Sequence, residues 1–93
     1  MTKYELQPTS QYRKDVRLLK KRGYDLSLLN GVIAKLANGE TLPPQYRDHP
    51  LKGNRKGHRD CHIQNDWVLI YKVDQDVLTL ILSETGTHAD ILE

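Results

Sequence analysis

Two stretches in the first half of the chain repeat apolar residues at the spacing of an amphipathic helix. Thr9 or Ser10 can cap the start of the first helix, and Gly23 offers a left-handed residue to end it. The second helix is predicted to begin at Asp25 as its N-cap and to end near Asn38-Gly39. The apolar stripes are Tyr12, Val16 and Leu19 in the first helix and Leu28, Leu29, Val32, Ile33 and Leu36 in the second. These stripes predict a helical hairpin with one buried side.

The pattern changes from helical to extended in the second half. Arg59 to Ile63, Trp67 to Val73 and Val77 to Ser83 are rich in Val, Ile, Leu, Tyr and Trp and predict three strands. The polar segments 64–66 and 74–76 between them are short enough for hairpins. The three strands should therefore form an antiparallel meander.

Three other segments complete the predicted layout. Tyr4 and Leu6 alternate with polar neighbours and indicate a short first strand, Leu42-Pro43-Pro44 blocks further helix, and residues 48–54 form a loop or short strand. A chain of 93 residues suits one core. We predict a single α+β domain over residues 1–93, with two N-terminal amphipathic helices packed on a small twisted antiparallel sheet.

The composition limits the compartment and the kinds of site. Cys61 is the only cysteine, which excludes an intramolecular disulfide and a multi-cysteine zinc site. It lies in a predicted strand between Asp60 and His62, and we expect it to point into the core rather than to act as a nucleophile. The first residues lack the apolar run of a signal peptide, and no stretch approaches the ~20 apolar residues of a membrane span. We expect a cytoplasmic protein without a membrane partner.

The net charge of +2 hides a strong separation of charge along the chain. Residues 1–59 carry 13 Lys and Arg against 5 Asp and Glu, whereas residues 60–93 carry 1 against 7. A basic surface of this size favours binding to a polyanion such as nucleic acid. The alternative is a solvated helix face, because the basic residues of the first helix lie on its polar side: Arg13, Lys14, Arg17, Lys20, Lys21 and Arg22.

Three of the four histidines lie beside turns or strand ends, with carboxylates nearby. They are His49, His62 and His88, and the carboxylates are Asp60 and Asp66. Imidazole titrates near neutral pH, and a neighbouring carboxylate can fix its tautomer. The group predicts a site for proton transfer, with the alternative that each histidine is an ordinary loop residue.

Four segments carry a resemblance to a known family. They are Arg47–Gly53 (RDHPLKG), Arg59–Ile63 (RDCHI), Asp66–Tyr71 (DWVLIY) and Thr85–Asp90 (TGTHAD). In these segments, and in the order of its predicted elements, the chain resembles the YafQ branch of the RelE toxin superfamily. The resemblance implies the RelE-like ribonuclease fold. It also implies a toxin that cleaves messenger RNA in the ribosomal A site. The expected chemistry is metal-independent acid–base catalysis without a cofactor.

The resemblance implies active-site histidines at His49, His62 and His88, with carboxylates at Asp60 and Asp66. From the chemistry of RNA cleavage we hypothesise that Asp66 or His49 is the general base and His88 the general acid, and that His62 with Asp60 orients groups or contacts the phosphate. The positions expected to contact RNA are Lys52, Arg55, Lys56, Arg59 and Leu92. The implied partners are the ribosome with its messenger and a cognate DNA-binding antitoxin of the DinJ/RelB type. The toxin would contact operator DNA only through this antitoxin.

Two positions depart from the family pattern. Glu84 stands where relatives commonly carry arginine, and Leu92 where they often carry phenylalanine. If the glutamate weakens the enzyme, Glu84→Arg should raise cleavage. The alternatives are a weakened toxin that acts as an RNA- or protein-binding module, and a metal-dependent hydrolase whose ligands come from the histidines and Asp66.

Overall fold

Two helices cover one face of a five-stranded sheet, and a short third helix follows the last strand. The computed structural model describes residues 2–91. In chain order the elements are β1 (Glu5–Pro8), α1 (Ser10–Lys21), α2 (Leu26–Ala37), β2 (His49–Pro50), β3 (Arg59–Gln64), β4 (Trp67–Asp74), β5 (Thr79–Thr87) and α3 (His88–Ile91). Single 3-10 turns at Pro44–Tyr46 and Gly53–Arg55 flank β2. The predicted α+β arrangement, with two N-terminal helices on a sheet, is confirmed.

The sheet has the strand order β1-β5-β4-β3-β2. Neighbouring strands from β2 to β5 are antiparallel, as predicted for the meander. β1 instead runs parallel to β5, with Glu5 opposite Thr79 and Pro8 opposite Leu82. The expectation of a wholly antiparallel sheet is therefore wrong at this edge. Alternation of apolar and polar residues predicts a strand but not its direction. The direction of β1 is set here by the need to start α1 beside β5.

The core lies between the helices and alternate residues of the strands. Leu69 of β4 is fully buried, and Trp67 and Tyr71, two residues on either side of it, are 1% and 2% exposed. The helix side of this core contains Tyr12, Leu19, Leu29, Val32, Ile33 and Leu36. Cys61 is fully buried in the same cluster, and burial raises the pKa of its thiol. The prediction that the cysteine points into the core is confirmed.

The last strand is shifted relative to its sequence prediction. β5 covers Thr79–Thr87, whereas the prediction placed it at 77–83. Val77 and Leu78 belong to the turn, where they are 66% and 48% exposed. The carboxylate of Asp74 accepts the backbone N–H of Val77 and stabilises that turn. Two apolar residues at a turn were thus mistaken for the start of the strand.

A β-bulge in β5 decides which side chains face away from the helices. Ile70 pairs with Glu84 but Tyr71 pairs with Leu82, so Ser83 is the extra residue. The bulge brings Glu84 onto the sheet surface opposite α1 and α2. We call this surface the site face, and it carries Asp60, His62, Val68, Ile70 and Glu84.

Among the described residues, no helix is both long enough and apolar enough to cross a membrane.

The start of α1 depends on Thr9. Its hydroxyl oxygen accepts the N–H of Tyr12 at 3.1 Å and donates to the carbonyl of Ser83 at 2.8 Å. One side chain therefore caps the helix and fastens it to the bulge of β5.

We expect Thr9→Ala to lower the free energy of unfolding by about 1–2 kcal/mol, because both the cap and the bond to β5 are lost. Urea unfolding measures the change. Thr9→Ser keeps the hydroxyl and is the matched control. Equal stabilities of the two variants would show that the hydroxyl contributes nothing.

Candidate active site

A buried carboxylate on the site face is surrounded by three histidines. Asp60 is 1% exposed. Its Oδ2 atom lies 3.8 Å from Nε2 of His49 and 4.0 Å from Nε2 of His88. The ring centroids of His62 and His88 are 5.0 Å apart. Four of the five residues predicted to be catalytic thus lie in this cluster, and the fifth, Asp66, lies beside His62 and His88.

Strand register and the turn after β5 explain this convergence. His49 of β2 is the direct pairing partner of Asp60 in β3, and His62 is two residues further along β3 and so shares its face. His88 is the first residue of α3, and its N–H donates to the carbonyl of Asp66 at 2.9 Å. Three separate parts of the chain therefore supply the three rings.

The hydrogen bonding of His49 fixes which of its nitrogens faces the carboxylate. Nδ1 lies 2.6 Å from the carbonyl oxygen of Arg47. Because a carbonyl can only accept, Nδ1 carries a hydrogen, and Nε2 is the nitrogen that faces Asp60. The backbone of Arg47 is left-handed, with φ of 49°, which turns its carbonyl toward the ring.

The carboxylate of Asp60 is poorly satisfied for a buried group. Its Oδ1 has no hydrogen-bond partner among residues 2–91. Burial raises the pKa of this carboxyl, while the three surrounding histidines act in the opposite direction. A desolvated carboxylate with an oxygen that lacks a hydrogen bond stabilises a positive charge nearby. That charge can be a proton or a cation held by the neighbouring imidazole rings.

Asp48 holds β2 in place and was not identified from the sequence. Its Oδ1 accepts from the hydroxyl of Tyr71 at 2.6 Å and from Nε of Arg59 at 3.1 Å. Arg59 is one residue before Asp60 in β3, so its side chain points to the helix side of the sheet. The structure thus separates Arg59 from the histidines, although the sequence grouped it with the RNA-binding positions. The alternation of side chains along β3 could have predicted this separation, because Arg59 is adjacent to Asp60 and therefore faces the other side of the sheet.

The remaining predicted residues differ in their surroundings. Asp66 is exposed and lines an open depression of about 570 Å³ together with His62 and His88. Lys52 and Lys56 are exposed, and neither forms an ion pair within the described part of the chain. Leu92 lies outside the described residues.

Arg55 is not a free cation. One terminal nitrogen of its guanidinium pairs with Glu84, and the other donates to the carbonyl of Ile91 at 3.1 Å. Glu84, which departs from the family pattern, is therefore paired with a cation, Arg55, that comes from the turn after β2.

One group in this site could also bind a metal ion. Asp60, His62 and His88 each offer a ligand atom, and these atoms all lie within 4.8 Å of one another. Two imidazoles and one carboxylate suit zinc or copper, and the unpartnered Oδ1 of Asp60 is consistent with such a ligand.

Comparison with known proteins identifies the class. Residues 4–93 match the family described as a bacterial toxin of type II toxin–antitoxin systems, YafQ. The mRNA interferase toxin YafQ of Escherichia coli strain K12 is 42% identical over 90 residues, which cover 96% of each chain. The YafQ chain in the crystal structure of the E. coli DinJ-YafQ toxin-antitoxin complex superposes with a TM-score of 0.89 at 40% identity, covering 98% of this chain and 99% of that one.

A metal-bound toxin from Helicobacter pylori is similar to the same extent. Its structure has a TM-score of 0.88 at 37% identity and covers 98% of this chain and 99% of that one. These matches define a small toxin of a bacterial type II toxin–antitoxin system. Within that class, the chain belongs to the YafQ family, as the segments around His49, His62 and His88 implied.

We expect Asp60→Asn to raise the melting temperature at pH 7, because the variant no longer buries an anion. A gain of 1 kcal/mol corresponds to about 4–8 °C in a domain of this size. Burial raises the folded-state pKa of Asp60 above its ordinary value, so the wild type loses stability as the pH rises from that ordinary value through the folded one. The gain should shrink toward pH 3, where the carboxyl is protonated in both folded and unfolded protein.

Calorimetric scans from pH 3 to pH 7 test this dependence. Asp66→Asn removes an exposed carboxylate from the same site and is the matched control, for which no gain is expected. A gain from Asp60→Asn that is equal at every pH would contradict a desolvated carboxylate.

Proposed function

We propose that this toxin is a ribosome-dependent endoribonuclease that cleaves messenger RNA by metal-independent acid–base chemistry. The observation that carries the proposal is the ring of imidazoles around Asp60 on an accessible surface of the sheet. The name mRNA interferase given to the E. coli relative supports the same substrate class.

The residue types fit a transesterification that consumes no water. The 2′-oxygen of one nucleotide loses a proton and forms a bond to the adjacent phosphorus. The bond from phosphorus to the 5′-oxygen of the next nucleotide then breaks, and that oxygen takes up a proton. The products are a 2′,3′-cyclic phosphate and a free 5′-hydroxyl, so one general base and one general acid balance the reaction.

In our proposal His49 is the base and His88 the acid. The bond from Nδ1 of His49 to the carbonyl of Arg47 leaves Nε2 free to take the proton of the 2′-hydroxyl. His88 reaches the same carboxylate oxygen from the other side, so the two rings flank one site. Asp60 would orient both and stabilise their protonated forms, and His62 would contact the phosphate. Asp66 is the alternative base, since it is exposed beside His62 and His88.

Charge stabilisation would come from Lys52 and Lys56. Both are exposed near β2 and carry charges without a partner in residues 2–91. Lysine side chains placed beside a phosphorane neutralise the charge that develops on its oxygens. They would also make RNA binding sensitive to salt.

The open site explains why the ribosome would be required. The depression beside His62 and His88 lies on the surface, and so small a chain has little material with which to enclose RNA. Correct positioning of a reacting pair can contribute about 7–11 kcal/mol to a barrier. We propose that the ribosome supplies this positioning, in the cytoplasm, and that free RNA is a poor substrate.

The proposed partner is a DNA-binding antitoxin of the DinJ/RelB type. The E. coli relative was crystallised with DinJ, which supports a similar complex here. The basic residues of α1 offer a surface for an acidic antitoxin segment.

We expect His88→Ala to abolish in-frame cleavage of a ribosome-bound reporter messenger, mapped by primer extension, and to retain binding to ribosomes. A general acid contributes about 10²–10⁴-fold. Arg13→Ala removes a basic side chain from α1 and is the control for a change of net charge. Unchanged cleavage by His88→Ala, or equal wild-type rates on naked and ribosome-bound RNA, would contradict the proposal.

The pH dependence of the cleavage rate separates the two roles. Rates of the wild type should fall on both sides of an optimum. His49→Gln should remove the acidic limb, since the base no longer titrates, and His88→Gln should remove the alkaline limb. If Asp66→Asn rather than His49→Gln removes the acidic limb, Asp66 is the base.

Metal ions should inhibit this toxin rather than activate it. The atoms of Asp60, His62 and His88 that could bind zinc belong to the groups that must move or orient protons. We expect added zinc to slow cleavage and EDTA to leave the purified toxin active. Titration calorimetry should detect zinc binding in the wild type and not in Asp60→Ala. Loss of activity on chelation, restored by zinc, would instead favour a metal-dependent hydrolase.

A further inference from the structure

We propose that Arg55 and Glu84 form a positioning pair that fastens α3, and with it His88, to the site face. The guanidinium of Arg55 contacts Glu84 in β5 and the carbonyl of Ile91 in α3. Arg55 itself ends the 3-10 turn Gly53–Arg55. A single side chain therefore joins the loop after β2, the last strand and the C-terminal helix. The link to catalysis depends on the function proposed above for His88.

α3 needs such an attachment because it is very short. It has four residues, which is far below the length at which a helix is stable by itself. Its N-terminal end is held by the N–H of His88, which donates to Asp66, and by reciprocal bonds between Thr87 and Asp90. Two arginines hold the rest of α3 among the described residues. Arg22 pairs with the carboxylate of Asp90 at 2.9 Å, and Arg55 donates to the carbonyl of Ile91, the last residue of the helix.

The same pair holds α3 beside the last strand. α3 passes close to β5 at Gly86, where a Cβ atom would lie 3.3 Å from Oδ2 of Asp90 and 3.5 Å from Cδ1 of Ile91. If α3 is released, His88 loses its fixed position beside Asp60.

The main competing role for Arg55 is that of an RNA-binding cation, as the sequence suggested. Its charge is already balanced by Glu84, and its side chain is only 33% exposed. The two roles predict opposite effects of removing the glutamate. If Arg55 binds RNA, Glu84→Met frees the guanidinium and raises cleavage. If the pair positions α3, Glu84→Met lowers cleavage.

The experiment compares Arg55→Met, Glu84→Met and the double variant in two assays on the full chain. The first is hydrogen exchange at the amides of Thr87, His88 and Asp90, each of which has a hydrogen-bond acceptor. Both single variants should exchange about fivefold faster there, as expected for loss of a partly buried ion pair. The second is cleavage of ribosome-bound messenger, in which kcat should fall about 10- to 100-fold with KM unchanged.

The double variant and a control give the sharpest result. The double variant should be no worse than Arg55→Met alone, because that change already removes both the ion pair with Glu84 and the bond to Ile91. Glu40→Met, at an exposed position after α2, should leave exchange and cleavage as in the wild type.

Each outcome decides between the roles. Unchanged exchange in Glu84→Met, or a higher cleavage rate, overturns the positioning pair. Faster exchange with an unchanged kcat shows that the pair holds α3 but does not position His88, which also overturns the proposal. Exchange could be faster in the variants while His88→Ala leaves cleavage unchanged. In that case the pair still attaches α3, but the function proposed for His88 is wrong.

Discussion

The alternation of β3 and β4 is the constraint on which the rest of the structure depends. Cys61 and Leu69 pair across the two strands and enter the helix-side core, while Asp60 and Ile70 pair one step further and face the other way. A slip of one residue would place the carboxylate in the apolar core and the cysteine among the histidines. Because four fully or almost fully buried residues fix this register, the position of Asp60 follows from packing.

Packing also places the candidate active site, and it does so at a cost in stability. Asp60 pairs across the strands with the fully buried Ile70, and its Oδ1 has no hydrogen bond within residues 2–91. A buried carboxylate with an unpartnered oxygen is unfavourable in the folded protein, but it can orient the surrounding imidazoles for the proton transfers that we propose. The same desolvation therefore explains both a weakness of the fold and the chemistry that we propose for it.

Local sequence signals predicted those features that depend on neighbouring residues. The caps at Thr9 and Asp25 mark the helix starts, and the histidines stand out beside turns. The features that were missed depend on distant residues. The bulge at Ser83 results from the pairing of β4 with β5, and the parallel direction of β1 results from where α1 must start. Neither the bulge nor the direction of β1 can be predicted from the local pattern of apolar residues.

Glu84 illustrates how a residue can be misjudged from its position alone. Compared with relatives, it replaces a cation by an anion, which suggests a weakened site. In the folded chain the bulge turns Glu84 toward Arg55, so a guanidinium still lies at this part of the sheet, supplied from the loop after β2. The electrostatic field depends on where charges lie in space, and not on which element carries them. The glutamate and Arg55 are therefore best understood as one unit, whose net charge is zero and whose main effect is on the geometry of α3.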